Sequence, residues 1–243
     1  MKREVGFLLL ASWSFAQPAE RPVTSPVPTY EIRRAARPIA VDGRLDESEW
    51  KAATTLTLQF PWEEQTGAKQ KTTVRLLWND EMLFVAFECE DVDIVAHHDQ
   101  RDDPTYKDDA VELFIQPNPK QPIYIGLEMN ARAILYDYVY LFPLQLLKAY
   151  DLKGVQLATN LDGTLNVTSD RDRGWTLELA IPLRNFSELM GNRPVVTGTI
   201  WAGNLNRLDG TEPNRRLSVW SDSATVRPSP HNPKRFGQLI FVP

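Results

Sequence analysis

Tyr106-Lys107-Asp108-Asp109-Ala110-Val111-Glu112-Leu113-Phe114-Ile115 is the stretch from which the fold of this 243-residue chain is read. It opens as a polar loop and turns into a strand at Asp109. Val111, Leu113 and Ile115 then point to one face and Ala110, Glu112 and Phe114 to the other, because side chains alternate along a strand. Both faces are largely apolar, which predicts a central strand covered on each side. A carboxylate at Glu112 in such a strand needs partners, since burying an unpaired charge costs on the order of several kcal/mol. Two readings stand at this point. Glu112 makes a structural hydrogen bond to a neighbouring strand or loop, or it lines a polar cleft with the Tyr106 ring at its mouth.

Outward from this strand the chain repeats one pattern. Strands are predicted at Thr72–Trp78 and Leu83–Glu90 (a hairpin closed by Asn79-Asp80-Glu81-Met82), Ile123–Asn130, Ile134–Phe142, Val155–Asn160, Thr164–Thr168, Trp175–Ile181 and Thr199–Arg207. A short strand ends at Trp220, and Phe236–Val242 completes the set. Pro182 ends its strand, and Leu183 to Leu189 reads as a short helix. Ile39 to Trp50 reads as a strand, an Asp42-Gly43 turn and a helical turn, with Asp46 and Glu49 at capping-box spacing and Trp50 anchored on the core. About ten to twelve short strands with few short helices predict an all-β antiparallel sandwich.

The composition is 42% hydrophobic and 24% charged, that of a globular chain. A net charge of −5 argues against nucleic acid as partner, since phosphate binding needs a basic face. Lys2 and Arg3, the apolar run Val5 to Ala16, and small residues at Ser14 and Ala16 read as a signal peptide over 1–16. Cleavage is expected before Gln17, which implies a secreted or periplasmic protein. The apolar run is shorter than the roughly 20 residues of a membrane span. Residues 17–30, with Pro18, Pro22, Pro26 and Pro28, read as a Pro-rich spacer, and residues 31–243 as the folded β domain. The single cysteine, Cys89, sits in phase with Leu83, Val85 and Phe87 and reads as a core residue.

The segment Asp91 to Asp109 holds seven Asp and two of the three His. An oxygen-rich loop of this kind suits a structural calcium ion, although no EF-hand spacing is present. His97 and His98, being adjacent, do not form a metal pair and read as surface residues. Glu112, Glu128, Asn130, Asn204 and Asn206 are polar positions inside otherwise apolar strands. Each is in phase with one face of its strand, which points to a lined concavity or to hydrogen bonds closing an ordinary core.

Several stretches, taken in order, resemble the family-nine carbohydrate-binding modules. They are Val41-Asp42-Gly43-Arg44-Leu45-Asp46-Glu47-Ser48-Glu49-Trp50, Val74-Arg75-Leu76-Leu77-Trp78-Asn79-Asp80, Asp109 to Ile115, Gly174-Trp175-Thr176-Leu177-Glu178-Leu179-Ala180-Ile181-Pro182 and Pro233-Lys234-Arg235-Phe236-Gly237-Gln238-Leu239. The resemblance implies a β-sandwich that binds a polysaccharide or oligosaccharide without catalysis. In the xylanase-attached members a sugar is clamped between two aromatic rings, whose positions fall here on Tyr106 and Trp220, with the strand glutamate at Glu112. Glu128, Asn130, Asn206 and Arg207 are the expected neighbours. Two departures are visible: Tyr replaces Trp at the first ring, and Glu128 stands where those members carry an arginine. Met129 to Asp137 looks more like stand-alone exported relatives.

Three other readings compete. In a cytochrome-type sandwich, Met129 would be the tempting ligand for haem. In a glycoside hydrolase, Glu112 and Glu128 would be the carboxylate pair, which needs about 5 Å between carboxyls for retention and roughly 6.5–9.5 Å for inversion. The sandwich would otherwise be a partner-docking module without a glycan site. Whether Tyr106 and Trp220 face each other across an open cleft separates the two-ring sugar clamp from the docking module.

Overall fold

The computed structural model describes residues 19–143, 145–211 and 214–243; the expected signal peptide lies outside the described residues. In order, the elements are β1 (Thr29–Arg34), α1 (Ser48–Ala52), β2 (Leu56–Thr57), β3 (Thr72–Trp78), β4 (Met82–Glu90), β5 (Ala110–Gln116), β6 (Ile123–Asn130) and β7 (Leu135–Leu141). They continue with β8 (Gln145–Leu147), β9 (Gln156–Asp162), β10 (Gly174–Pro182), β11 (Ile200–Asp209), β12 (Arg216–Val219) and β13 (Gly237–Phe241).

One sheet runs β8-β7-β6-β5-β11-β13-β1, with β12 also on β11. The other runs β1-β3-β4-β10-β9, with β2 on β3. β1 joins the two: Thr29–Ile32 pair with β13 and Arg33–Arg34 with β3, both in parallel, whereas the other described strand pairings are antiparallel. The expected β-sandwich is therefore present, with β1 as its shared seam.

Alternation explains the core. Val111, Leu113 and Ile115 of β5 meet Val74, Leu76, Val85, Phe87, Leu177 and Leu179 of the facing sheet, with Trp78, Trp175 and Trp201 filling the ends. Trp50 anchors a separate cluster on the outer side of β3 and β4, with Leu77, Phe84 and Ala86. Cys89 is buried, as its phase predicts. The Asp42-Gly43 turn is held by Glu178 of β10, whose Oε2 accepts the Asp42 and Gly43 N–H groups at 2.9 and 2.8 Å while its Oε1 accepts Trp50 Nε1 at 2.7 Å. Gly43 has φ +83°, and a Cβ there would lie 2.6 Å from the Thr159 backbone, so the turn admits glycine alone without movement.

Some local expectations fail for identifiable reasons. Ile39 to Val41 is irregular, and Thr164 to Thr168 is a pair of turns. The capping box does not form: α1 starts at Ser48, Glu47 makes no side-chain cap, and its Oε1 accepts the Ala40 N–H instead. Leu183 to Met190 is two short 3-10 turns. β1 carries little strand signal of its own, because only Tyr30 and Ile32 are apolar in it and its pairing needs both sheets. The described part of the Pro-rich segment lies along the domain, where Arg21 N–H donates to Ala224 O at 2.6 Å and Val226 N–H to Ala19 O at 2.7 Å. Among the described residues no helix is long and apolar enough to cross a membrane.

Candidate functional site

The outer face of the β5 sheet is where the polar residues gather. β5 register places Glu112 directly opposite Glu128 of β6 on one side and Asn206 of β11 on the other. Directly opposed residues share a face, with Cβ atoms roughly 4.5–5.5 Å apart. Glu128 in turn faces Tyr136 of β7, and Gly126 faces Tyr138. The alternation Tyr136, Tyr138, Tyr140 puts three phenols on this same face. With Phe114, Tyr124, Phe142 and Phe236 they form a second, aromatic layer outside the sheet, which is why all seven residues of β5 are buried.

Within that layer Tyr138 lies over Gly126, where a Cβ would come 2.3 Å from its ring. The Tyr124 hydroxyl hydrogen-bonds His231 Nδ1 at 2.7 Å, and the His231 ring stacks on Phe114 at 5.1 Å. Enclosure by these rings holds the His231 imidazole below its usual range.

Glu112 and Glu128 are 3% and 4% exposed. Asn206 Nδ2 donates to Glu112 Oε2 at 3.1 Å, which fixes the orientation of the amide. Glu128 Oε2, Asn206 Oδ1 and the Tyr138 hydroxyl are buried without a hydrogen-bond partner among the described residues. The Tyr138 hydroxyl is near enough to Glu128 to influence its ionisation but makes no hydrogen bond of good geometry. Burial raises the Glu112 carboxyl to about 7, against the opposing pull of the Asn206 bond and the Arg215 charge. Glu128 is pushed well above the carboxylate range by burial and then by the Glu112 charge.

Tyr106 flanks this pair. It sits on a 3-10 turn, Thr105–Lys107, and its ring lies 5.9 Å from Tyr136. Its carbonyl accepts from Arg215 Nη1, while Arg215 Nε donates to Gly210 O at 3.2 Å. Lys148 places its ammonium 5.6 Å from the Tyr136 ring centre. Tyr106, Glu112, Glu128 and Asn206 are thus the expected site residues that the structure brings together. Sequence reasoning missed Tyr136, Tyr138, Arg215 and Lys148. The Tyr-x-Tyr-x-Tyr spacing was a usable signal for the phenols; nothing local marked Arg215 or Lys148.

Three expected residues lie elsewhere. Trp220 packs on the inter-sheet core, edge-on to Tyr30 at 6.4 Å. It covers Gly237, whose Cβ would come within 2.5 Å of the ring. Tyr106 belongs to the outer aromatic layer, so the two rings do not face each other as a clamp. Arg207 shares a face with its register partner Val111, turned inward. It is 1% exposed and pairs with Asp91 at 2.7 Å and Asp209 at 2.9 Å, because adjacent strand residues point to opposite faces and Asn206 already takes the outer one. Asn130 ties loops together: its amide donates to His98 O at 2.9 Å and Asp108 Oδ2 at 2.8 Å, and its carbonyl accepts the Arg132 and Ile134 N–H groups.

The acidic residues that could hold calcium pair instead with arginines and backbone N–H groups. Asp91, Asp109 and Asp209 converge in the core, but the Arg207 guanidinium stands among them, within 3.7 Å of all three. Asp109 also accepts the Val95 and Gly210 N–H groups. Asp102, Asp137 and Asp151 converge on Arg101 in the same way. Asp108 accepts from the His97 and His98 backbone and from Asn130. An arginine fills the centre of each cluster, so these sets do not fit a calcium ion. Met129, the tempting haem ligand, is enclosed in the inter-sheet core.

This is a two-sheet β-sandwich with a buried acidic pair under an aromatic layer on one outer sheet face. The chain belongs to the carbohydrate family 9 binding domain-like family, which matches residues 41–242. Among solved structures it is similar to a Bacteroides uniformis protein proposed to bind carbohydrate, at 18% identity and a TM-score of 0.73, covering 88% of this chain and 99% of that one. It is also similar to a family 9 carbohydrate-binding module from Caldicellulosiruptor kristjanssonii solved with cellotriose (16% identity, TM-score 0.61, 88% and 93% covered). A structure of such a module from the same organism with glucose matches at 18% identity and a TM-score of 0.59, covering 87% and 95%. No curated protein sequence matches significantly.

Proposed function

We propose that this chain is an exported, non-catalytic carbohydrate-binding module. Its site has Glu112, Glu128 and Asn206 as the floor and Tyr106 and Tyr136 as the aromatic wall. The observation that carries this is the group of three buried polar atoms without a partner among the described residues, on Glu128, Asn206 and Tyr138, in the layer that also holds the partly exposed Tyr106 ring. Buried polar atoms are rarely left unpaired, and sugars offer both hydroxyls for such atoms and C–H faces for rings. The sugars present in the Caldicellulosiruptor structures support the same class of ligand.

Calorimetry of the mature chain with gluco-oligosaccharides tests the reading. Binding that disappears in Tyr106→Ala and persists in folded Trp220→Ala supports the site. Binding untouched by Tyr106→Ala places it elsewhere, and absence of binding to any glycan in an array removes the function.

A further inference from the structure

We infer that the chain has a second carbohydrate site, an open polar cleft across the β3-β4-β10-β9 sheet that takes a neutral, hydroxyl-rich oligosaccharide. This rests on the carbohydrate-binding reading of the chain but not on the site at Glu112, which lies on the other sheet.

The first ground is shape. The Trp50 cluster covers only one end of the outer face of this sheet. Beyond it lies a cleft of about 420 Å³, within the roughly 300–1,000 Å³ of small-ligand sites. Register builds its floor. Thr73 lies opposite Glu88, Glu88 opposite Thr176 and Thr176 opposite Asn160, so one row of polar side chains crosses four strands. At about 4.8 Å per strand the row is roughly 14 Å long, room for a short oligosaccharide. In the next row Glu90 and Asp162 both lie opposite Gly174. Gly174 has φ +148°, and a Cβ there would meet the Cys89 carbonyl, so the floor between the two acids stays bare.

The second ground is a polar pair already held in place. Arg75 donates from Nε to Thr55 Oγ1 at 3.0 Å and from Nη1 to Glu88 Oε2, which also accepts the Thr73 hydroxyl at 3.2 Å. The pair is half withdrawn from water, with side-chain exposures of 21% and 42%. Arg75 Nη2, Glu88 Oε1 and the Asn160 side chain make no hydrogen bond among the described residues, and all three residues line the cleft. Neighbouring hydroxyls of a sugar ring match this pair, one accepting from the guanidinium and the other donating to the carboxylate. Because the pair is fixed beforehand, binding orders little.

The third ground is charge. Lys71, Arg75 and Arg173 line the cleft with Glu88, Glu90 and Asp162, so its cations and anions balance. An ionic ligand would lie beside a like charge, whereas hydroxyls bond to groups of either sign. Trp175 turns its ring into the core, so hydrogen bonds, not ring stacking, carry the binding.

The test is heteronuclear NMR of the isotope-labelled mature chain, titrated in turn with cellotetraose, xylotetraose and mannotetraose. With at least one of them the Asn160 side-chain amide and Arg75 Nε–H signals should shift saturably, and should still do so in Tyr106→Ala. Arg75→Ala should weaken this binding about tenfold and Asn160→Ala severalfold, as for lost hydrogen bonds to a charged and a neutral group. Should Arg75→Ala not fold, Asn160→Ala, which leaves the Arg75–Glu88 pair intact, decides. Oligogalacturonate and glucosamine oligomers should shift these signals less; an equal or stronger response to either would overturn the neutral ligand. Saturable shifts confined to the Tyr106 side of the molecule would overturn the second site while leaving carbohydrate binding intact. No shift anywhere with any oligomer would remove both readings.

Discussion

Glu112→Gln should change the pH dependence of stability in a way the site geometry dictates. In the folded chain the carboxyl is raised from its ordinary 4.5 to about 7 by burial. At about 1.4 kcal/mol per pH unit, proton binding favours the folded state by about 3 kcal/mol. The sign follows from the direction: the folded state holds this proton more tightly than the unfolded chain. The contribution is therefore fully present below the ordinary value of 4.5 and is lost as pH rises to about 7. Glutamine keeps an oxygen for the Asn206 amide and has no proton to lose. The variant should therefore gain on the wild type by about 3 kcal/mol between acid and neutral pH, or roughly 6–12 °C in melting temperature for a chain of this size. Asp109 is raised as well but is common to both proteins and cancels in the difference; Glu128, raised in part by the Glu112 charge, is repelled less in the variant and adds to the same gain as pH rises. Urea unfolding of both proteins at half-unit steps from pH 4.5 to 7.5 measures it. Parallel stability profiles for variant and wild type would show that Glu112 is not desolvated as argued.

Trp220→Ala should cost about 3 kcal/mol in denaturant unfolding, because the ring packs on Gly237 and Tyr30; wild-type stability would contradict the core placement. Gly126→Ala should displace the Tyr138 ring, 2.3 Å from the new Cβ. The expected loss is about 1–3 kcal/mol, together with an altered near-ultraviolet circular dichroism spectrum; an unchanged spectrum would refute the packing. Melting temperature should not respond to millimolar calcium or to EGTA, since arginines fill the acidic clusters; a reversible upward shift would show a cation site that these clusters do not explain.

What the sequence determined by itself was set by periodicity. Alternation along Val111, Leu113 and Ile115, repeated in the Leu83–Glu90 and Trp175–Ile181 stretches, determines strands with one face inward, and enough of them determine a sandwich. The same alternation put Glu112, Glu128 and Asn206 in phase, and cross-strand register made that phase a shared patch. Only tertiary structure decided the rest. Arg207 follows Asn206 by one residue, so alternation already turns it away from Glu112, but that Asp91, Asp109 and Asp209 meet it there depends on how strand ends and loops come together. Trp220 follows the end of β12, and its side was set by the opening that Gly237 leaves on β13, a contact between residues far apart in the chain. Arg215 reaches the Tyr106 carbonyl from a loop, and Lys148 reaches the Tyr136 ring from beyond β8. Charge and packing across such separations leave no periodic trace, because they depend on distance in space and not on spacing along the chain.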